Sequence, residues 1–136
     1  MNINAEIDYC LGLSFYDLQD YAGHNYQLLY RHIESKNPDK ANTLLIGTIF
    51  TCIAANGKLT DKEYDFIAQF VGGYSRQEAF EVASEFFCDE ARDTVRSLLE
   101  HLPYDMKEAY VKLCIAVLSV DKRFDGEEVA FLEDIL

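Results

Sequence analysis

A chain of 136 residues, 49% hydrophobic and 26% charged, has the balance of one globular domain that can bury a core without disulfide or metal staples, and not that of a disordered chain. Acids outnumber bases by 24 to 12, and the formal net charge of −12 argues against binding nucleic-acid phosphates while favouring cations or basic protein surfaces as partners. The acids run from Glu6 to Asp134 without gathering in one tail, so most are expected only to keep helix surfaces solvated.

Two prolines and seven glycines punctuate the chain, and period-two alternation is nearly absent, so helices with short connections are the natural reading. In the amino-terminal third, Tyr26, Leu29 and Ile33, with Tyr30 beside them, keep helical spacing. Five of the nine tyrosines fall in the first thirty residues; they read as core or rim residues, with a partner-binding face as the alternative. Asn37-Pro38 offers a capping side chain before a proline at a first helical position. Leu44, Leu45, Ile46, Ile49, Phe50 and Ile53 are then apolar on more than one face, which predicts a central buried helix ending near Asn56-Gly57.

Thr60-Asp61-Lys62-Glu63 has the form of a capping box and opens a helix burying Tyr64, Ile67, Phe70 and Val71, which stops at Gly72-Gly73. Ser75-Arg76-Gln77-Glu78 repeats the signal before Phe80, Ala83 and Phe87. Ala91, Val95, Leu98, Leu99 and Leu102 form a further stripe. From Pro103, a helix carrying Met106, Tyr110, Leu113, Cys114, Val117 and Leu118 is expected to be as buried as the one before Asn56. Asp125-Gly126-Glu127-Glu128 caps the last helix, with Val129, Leu132 and Ile135 inward.

Cys10, Cys52, Cys88 and Cys114 form no C-x-x-C pair and read as buried thiols of a reducing compartment. The opening MNINAEIDYC carries no signal-peptide pattern, and no apolar run approaches the ~18 residues of a membrane span. A cytoplasmic protein that does not insert in membranes is therefore expected. His24, His32 and His101 lack metal-ligand spacing and read as surface or rim residues. With no Gly-rich phosphate loop, nucleophile elbow or H-E-x-x-H, the chain is not expected to be an enzyme.

Ile49 to Ile67 aligns without gaps on Cys114 to Leu132 at an offset of 65 residues. The register pairs Ile53 with Leu118, Asn56 with Asp121, Leu59 with Phe124, Thr60 with Asp125, Glu63 with Glu128 and Phe66 with Phe131. What repeats is a buried helix, a polar residue at its end, a short loop with one apolar plug, a cap, and a glutamate three residues on. Two such units can cover each other's apolar faces. Leu59 and Phe124, the plugs, are expected to be buried.

Ala55-Asn56-Gly57 with Glu63, and Val120-Asp121-Lys122 with Glu128, resemble the paired loops of the TerB-like domains found in tellurite-resistance proteins and some membrane-anchored co-chaperones. That family carries, twice, an Asp-Gly at a helix end with a glutamate seven residues past the Asp. Here Asn56 replaces the first Asp, Lys122 replaces the second Gly, and the similarity covers roughly residues 40 to 136. The resemblance implies an all-α fold, namely a compact bundle of about six to eight helices with two pseudo-symmetric helix–loop–helix repeats. The chain is then one domain over 1–136, with an amino-terminal extension of about 1–36 and repeats of about 38–72 and 103–136.

The resemblance also implies a stress-response role with a divalent cation, Ca²⁺ or Mg²⁺, held by Asn56, Glu63, Asp121, Asp125 and Glu128. A hard cation takes about six oxygen ligands, which neither loop supplies alone. The second loop fails as an EF-hand, because Arg123 stands at its third position and Leu132 at its twelfth. Glu63 and Glu128 equally fit capping boxes that need no metal. Asp121 differs, since a carboxylate at a helix C-terminus opposes the helix dipole. Two functions stay open: a cation-responsive binding domain that requires no other cofactor, and a protein-interaction scaffold with purely structural loops.

Overall fold

Short polar side chains set the first two helices. In the computed structural model the Asn2 side-chain oxygen accepts the Ala5 N–H at 3.1 Å and opens helix α1, Ile3–Leu11. The Gly12 N–H then donates back to the carbonyls of Asp8 and Tyr9, which closes α1. Ser14 Oγ accepts the Asp17 N–H at 3.2 Å and opens α2, Phe15–Lys36, with an acid in its first turn and a lysine in its last, as the helix dipole favours. Asn37, ahead of Pro38, leaves the helical region at φ −140° and ends α2 with its N–H on the Ile33 carbonyl at 2.7 Å.

The residues described are 1–39, 41, 45–47, 49, 60–63, 65–66, 75, 77–78, 81, 89–121, 124 and 126–136, with backbone only at Asp89, Ala91, Arg92, Asp121, Glu127, Glu128 and Phe131. Beyond α2 they include α3 (Asp89–Glu100), α4 (Tyr104–Leu118), a 3-10 turn (Ser119–Asp121) and α5 (Gly126–Ile135). Helical backbone also occurs at 41, 45–47, 49, 61–63, 65–66, 77–78 and 81. No strand occurs among the described residues, in keeping with the all-α expectation.

Helix α4 is the element on which α1, α2 and α5 pack. Pro103 fixes an extended entry, no side chain caps the helix, and every residue from Ala109 to Leu118 except Lys112 is buried. Such all-round burial is the mark of a central helix. Helix α2 lies along α4, α1 packs on α4, the 3-10 turn and α5, and α5 returns to α4. Leu18, Ala22, Tyr26, Leu29 and Ile33 form the buried stripe of α2, at the helical spacing of three and four. Leu45, Ile46, Ile49, Phe66, Val95, Leu99, Leu102 and Leu132 join the same core. At roughly 1.5–3 kcal/mol per large apolar side chain, this burial outweighs any cap or ion pair.

Of the expected stripes, Tyr26, Leu29, Ile33, Val95, Leu99, Leu102, Tyr110, Leu113, Cys114, Val117 and Leu118 are buried, while Tyr30 and Leu98 are only partly covered and the Ala91 side chain lies outside the described residues. Met106, Val129 and Ile135 are only partly covered. Phe124, expected to be a fully buried plug, is half-buried against the core. Its partner Leu59, most of the first repeat, Cys52 and Cys88 lie outside the described residues. Cys10 and Cys114 are buried free thiols.

Candidate functional site

Three places carry chemistry: the Thr60 loop, the end of α4, and the surface of α1 and α2. At the first, Thr60 N–H and Thr60 Oγ1 both donate to Glu63 Oε1, at 3.1 and 3.0 Å, while Glu63 N–H donates to Thr60 Oγ1 at 3.3 Å. This is the complete reciprocal capping box read from the sequence. Glu63 is also 5% exposed, so a charge that water would otherwise solvate is held by its own helix start. The cap at Ser75 is likewise formed, with Glu78 N–H donating to Ser75 Oγ at 3.2 Å.

Of the other residues implied as cation ligands, Asp121 closes the 3-10 turn that continues α4, and Glu128 is the third residue of α5. The side chains of both, and all of Asn56 and Asp125, lie outside the described residues. Glu63 is therefore the one member of the set whose carboxylate is placed, and it is placed in a cap. Among the described residues no group of three or more His, Cys, Asp or Glu side chains is arranged to hold a metal ion. His24 and His101 are exposed and His32 is half-buried.

The amino-terminal helices hold a polar cluster that the sequence did not disclose. Tyr21 Oη donates to Glu6 Oε2 at 2.7 Å, bridging α2 to α1, and Tyr9 leans on Tyr21 with ring centroids 5.6 Å apart. Burial, and then the hydrogen bond to Glu6, raise the Tyr21 hydroxyl well above the ordinary phenol range. Beside it, burial and the Glu6 charge push the Cys10 thiol up to about 12, which the Ser119 and Tyr21 hydroxyls only partly offset. Cys10 is thus a protonated, inert thiol. Ser119 in turn donates to the Ile115 carbonyl at 2.6 Å, and buried Asn25 donates to the Tyr21 carbonyl at 2.9 Å. Each group has a partner, so the cluster reads as a polar joint between α1, α2 and α4.

Outward of that joint the same helices expose large rings. Tyr16 is 77% exposed and Phe15 47%, at the first turn of α2; Tyr9 on α1 and Tyr104 at the start of α4 are each 55% exposed. Phe15 stands edge-on to Tyr16 at 6.0 Å and to buried Phe66 at 5.9 Å, which brings the helical turn after Thr60 against the start of α2. Two adjacent aromatics directly after a capping serine cannot both face the core, since successive residues lie about 100° apart around a helix. Ser14-Phe15-Tyr16 carries that signal in the sequence.

No helix among the described residues is long and apolar enough to cross a membrane. Comparison with protein-family models, curated proteins and solved structures finds no match to this chain.

Proposed function

We propose that this chain is a TerB-like helical scaffold, a non-enzymatic cytoplasmic protein-binding module whose capped loops are structural and whose partner surface lies on the tyrosine-rich amino-terminal helices. One observation carries the reading: Phe15 and Tyr16 are held outside the core at the start of α2, while Glu63 is occupied by Thr60. Exposed aromatic rings on a rigid helix supply contact area at little entropic cost, which is why such rings dominate binding surfaces. The repeats at 38–72 and 103–136 serve in this reading to frame α4. An aromatic photo-crosslinking residue, which keeps a ring at position 16, is expected to capture a protein partner in cells, while the same residue at exposed Asp93 of α3 does not. No adduct from position 16, or equal adducts from both, overturns the reading.

Asp121 supports a second reading, since it ends a turn continuing α4, where a negative charge opposes the helix dipole and invites a cation. In that reading Ca²⁺ or Mg²⁺ binds between the loops through Asn56, Glu63, Asp121, Asp125 and Glu128, as part of a stress response. Millimolar divalent ion should then raise the melting temperature by mass action, and Asp121→Asn should abolish the rise without destabilising the apo protein. Glu128→Gln, which can still cap, should spare the fold and weaken the response. A melting temperature indifferent to both ions and to chelator removes this reading.

A further inference from the structure

Residues 1–30 contain Glu6, Asp8, Asp17 and Asp20 and no lysine or arginine; their basic groups are His24 and the Met1 amino group. The outer surface of α1 and of the first four turns of α2 therefore combines aromatic rings with side-chain charge that is mainly negative. At its centre, Phe15 and Tyr16 form an edge-on pair, continued inward by Phe66. Asp17 and Asp20 are exposed on α2, and exposed Asp65 adjoins Phe66. Tyr9 belongs to another flank, because its neighbour Tyr21 lies roughly 140° around α2 from Tyr16.

Resting on the protein-binding reading above, we infer that the Phe15–Tyr16 surface, with Asp17 beside Tyr16, Asp20 one turn beyond it and Asp65 next to Phe66 in the chain, takes an arginine-bearing segment of a partner protein. The chemistry selects arginine. A guanidinium lies flat on an aromatic face and presents in-plane N–H groups to carboxylates at the rim, both at once, whereas an ammonium is more strongly hydrated and has no flat face to stack. A wholly apolar partner would strand the three carboxylates under it, and an anionic one would be repelled. The positive end of the α2 dipole opposes a cation here, and Asp17 and Asp20 offset it. Lys62, one turn before Phe66, adds a positive charge at one edge, so the segment is expected to lie toward α2.

The test titrates the isotope-labelled full chain with three otherwise identical peptides, alternating leucine with arginine, lysine or glutamine. The arginine peptide should shift the backbone resonances of 15–20 and 65–66 and bind about two- to fivefold more tightly than the lysine peptide, the worth of one exposed cation–π contact. The glutamine peptide should not bind. Tyr16→Ala should remove the arginine preference, and Asp20→Asn should weaken both basic peptides, with the remaining resonances unmoved. Equal affinity for the arginine and lysine peptides, or shifts confined to other residues, overturns the inference. So does Tyr16-dependent binding to vesicles of zwitterionic lipid, which would make the surface a membrane contact. A partner crosslinked at position 16 through a segment without arginine defeats this inference alone, whereas no crosslink at all defeats the protein-binding reading beneath it.

Discussion

Helices α2 and α4 lie side by side and do opposite things with similar residues. In α4 the segment from Ala109 to Leu118 is buried on every side but that of Lys112, and Tyr110 is fully covered. In α2 one stripe from Leu18 to Ile33 is buried, and the same helix holds Tyr16 in water. The difference shows where freedom to vary lies: α4 is packed on nearly every side, with α1, α2 and α5 against it, whereas α2 is packed along one stripe. Tyr110 of α4 is core, whereas Tyr16 of α2 stands in water, and α2 keeps its own buried Tyr26 on the stripe between.

The largest expected effect breaks the covered side. Tyr110→Ala should cost about 4 kcal/mol, read from denaturant unfolding, because the ring is wholly buried and its cavity has neighbours on all sides. Phe124→Ala should cost less, about 2 kcal/mol, since that ring is half-buried. A loss below about 0.5 kcal/mol would show that the loop after α4 is not anchored by it. Thr60→Ala should cost about 1 kcal/mol as a lost cap, and Glu63→Gln less than Glu63→Ala, because glutamine still accepts from Thr60.

At neutral pH the smallest effect concerns the joint between α1 and α2, which shows only in the alkaline range. The Cys10 thiol rises on folding from 9.0 to about 12, and the folded state therefore holds its proton where the unfolded chain has released it. Its contribution is complete below about pH 9 and is lost as pH rises toward 12; Tyr21, raised for similar reasons, adds to the same loss. Cys10→Ala should make the alkaline fall in melting temperature shallower. An unchanged alkaline limb would show that the Cys10 thiol is not protected in the fold. Because the thiol is buried and protonated, it should also resist thiol reagents in the native protein at neutral pH.

Apolar spacing and caps were the parts of the fold legible in the sequence. The stripes at Tyr26–Ile33 and Tyr110–Leu118 follow from period alone, and Thr60-x-x-Glu63 is a local device whose geometry depends on four residues. Helix α1 and the start of α2 were not read, although Asn2 and Ser14 are ordinary capping residues, because an apolar stripe is weak where rings point outward. Asn37-Pro38 offers a helix start in the sequence; in the structure Asn37 ends α2 and residues 38–39 form a turn. The cluster of Glu6, Cys10, Tyr21 and Ser119 joins residues up to 113 positions apart. No period or motif links such positions; only the packing of α1 between α2 and the end of α4 does.

The division between a covered and a presenting side is tested most directly by making one substitution, Tyr16→Ala, and reading stability and partner capture together, with the crosslinking residue at exposed His24. The account predicts a change in unfolding free energy of less than about 0.5 kcal/mol, as for an exposed side chain, together with loss of the crosslinked partner. A loss of about 2 kcal/mol would place Tyr16 among the packing residues, and undiminished capture would mean that α2 does not present it to a partner.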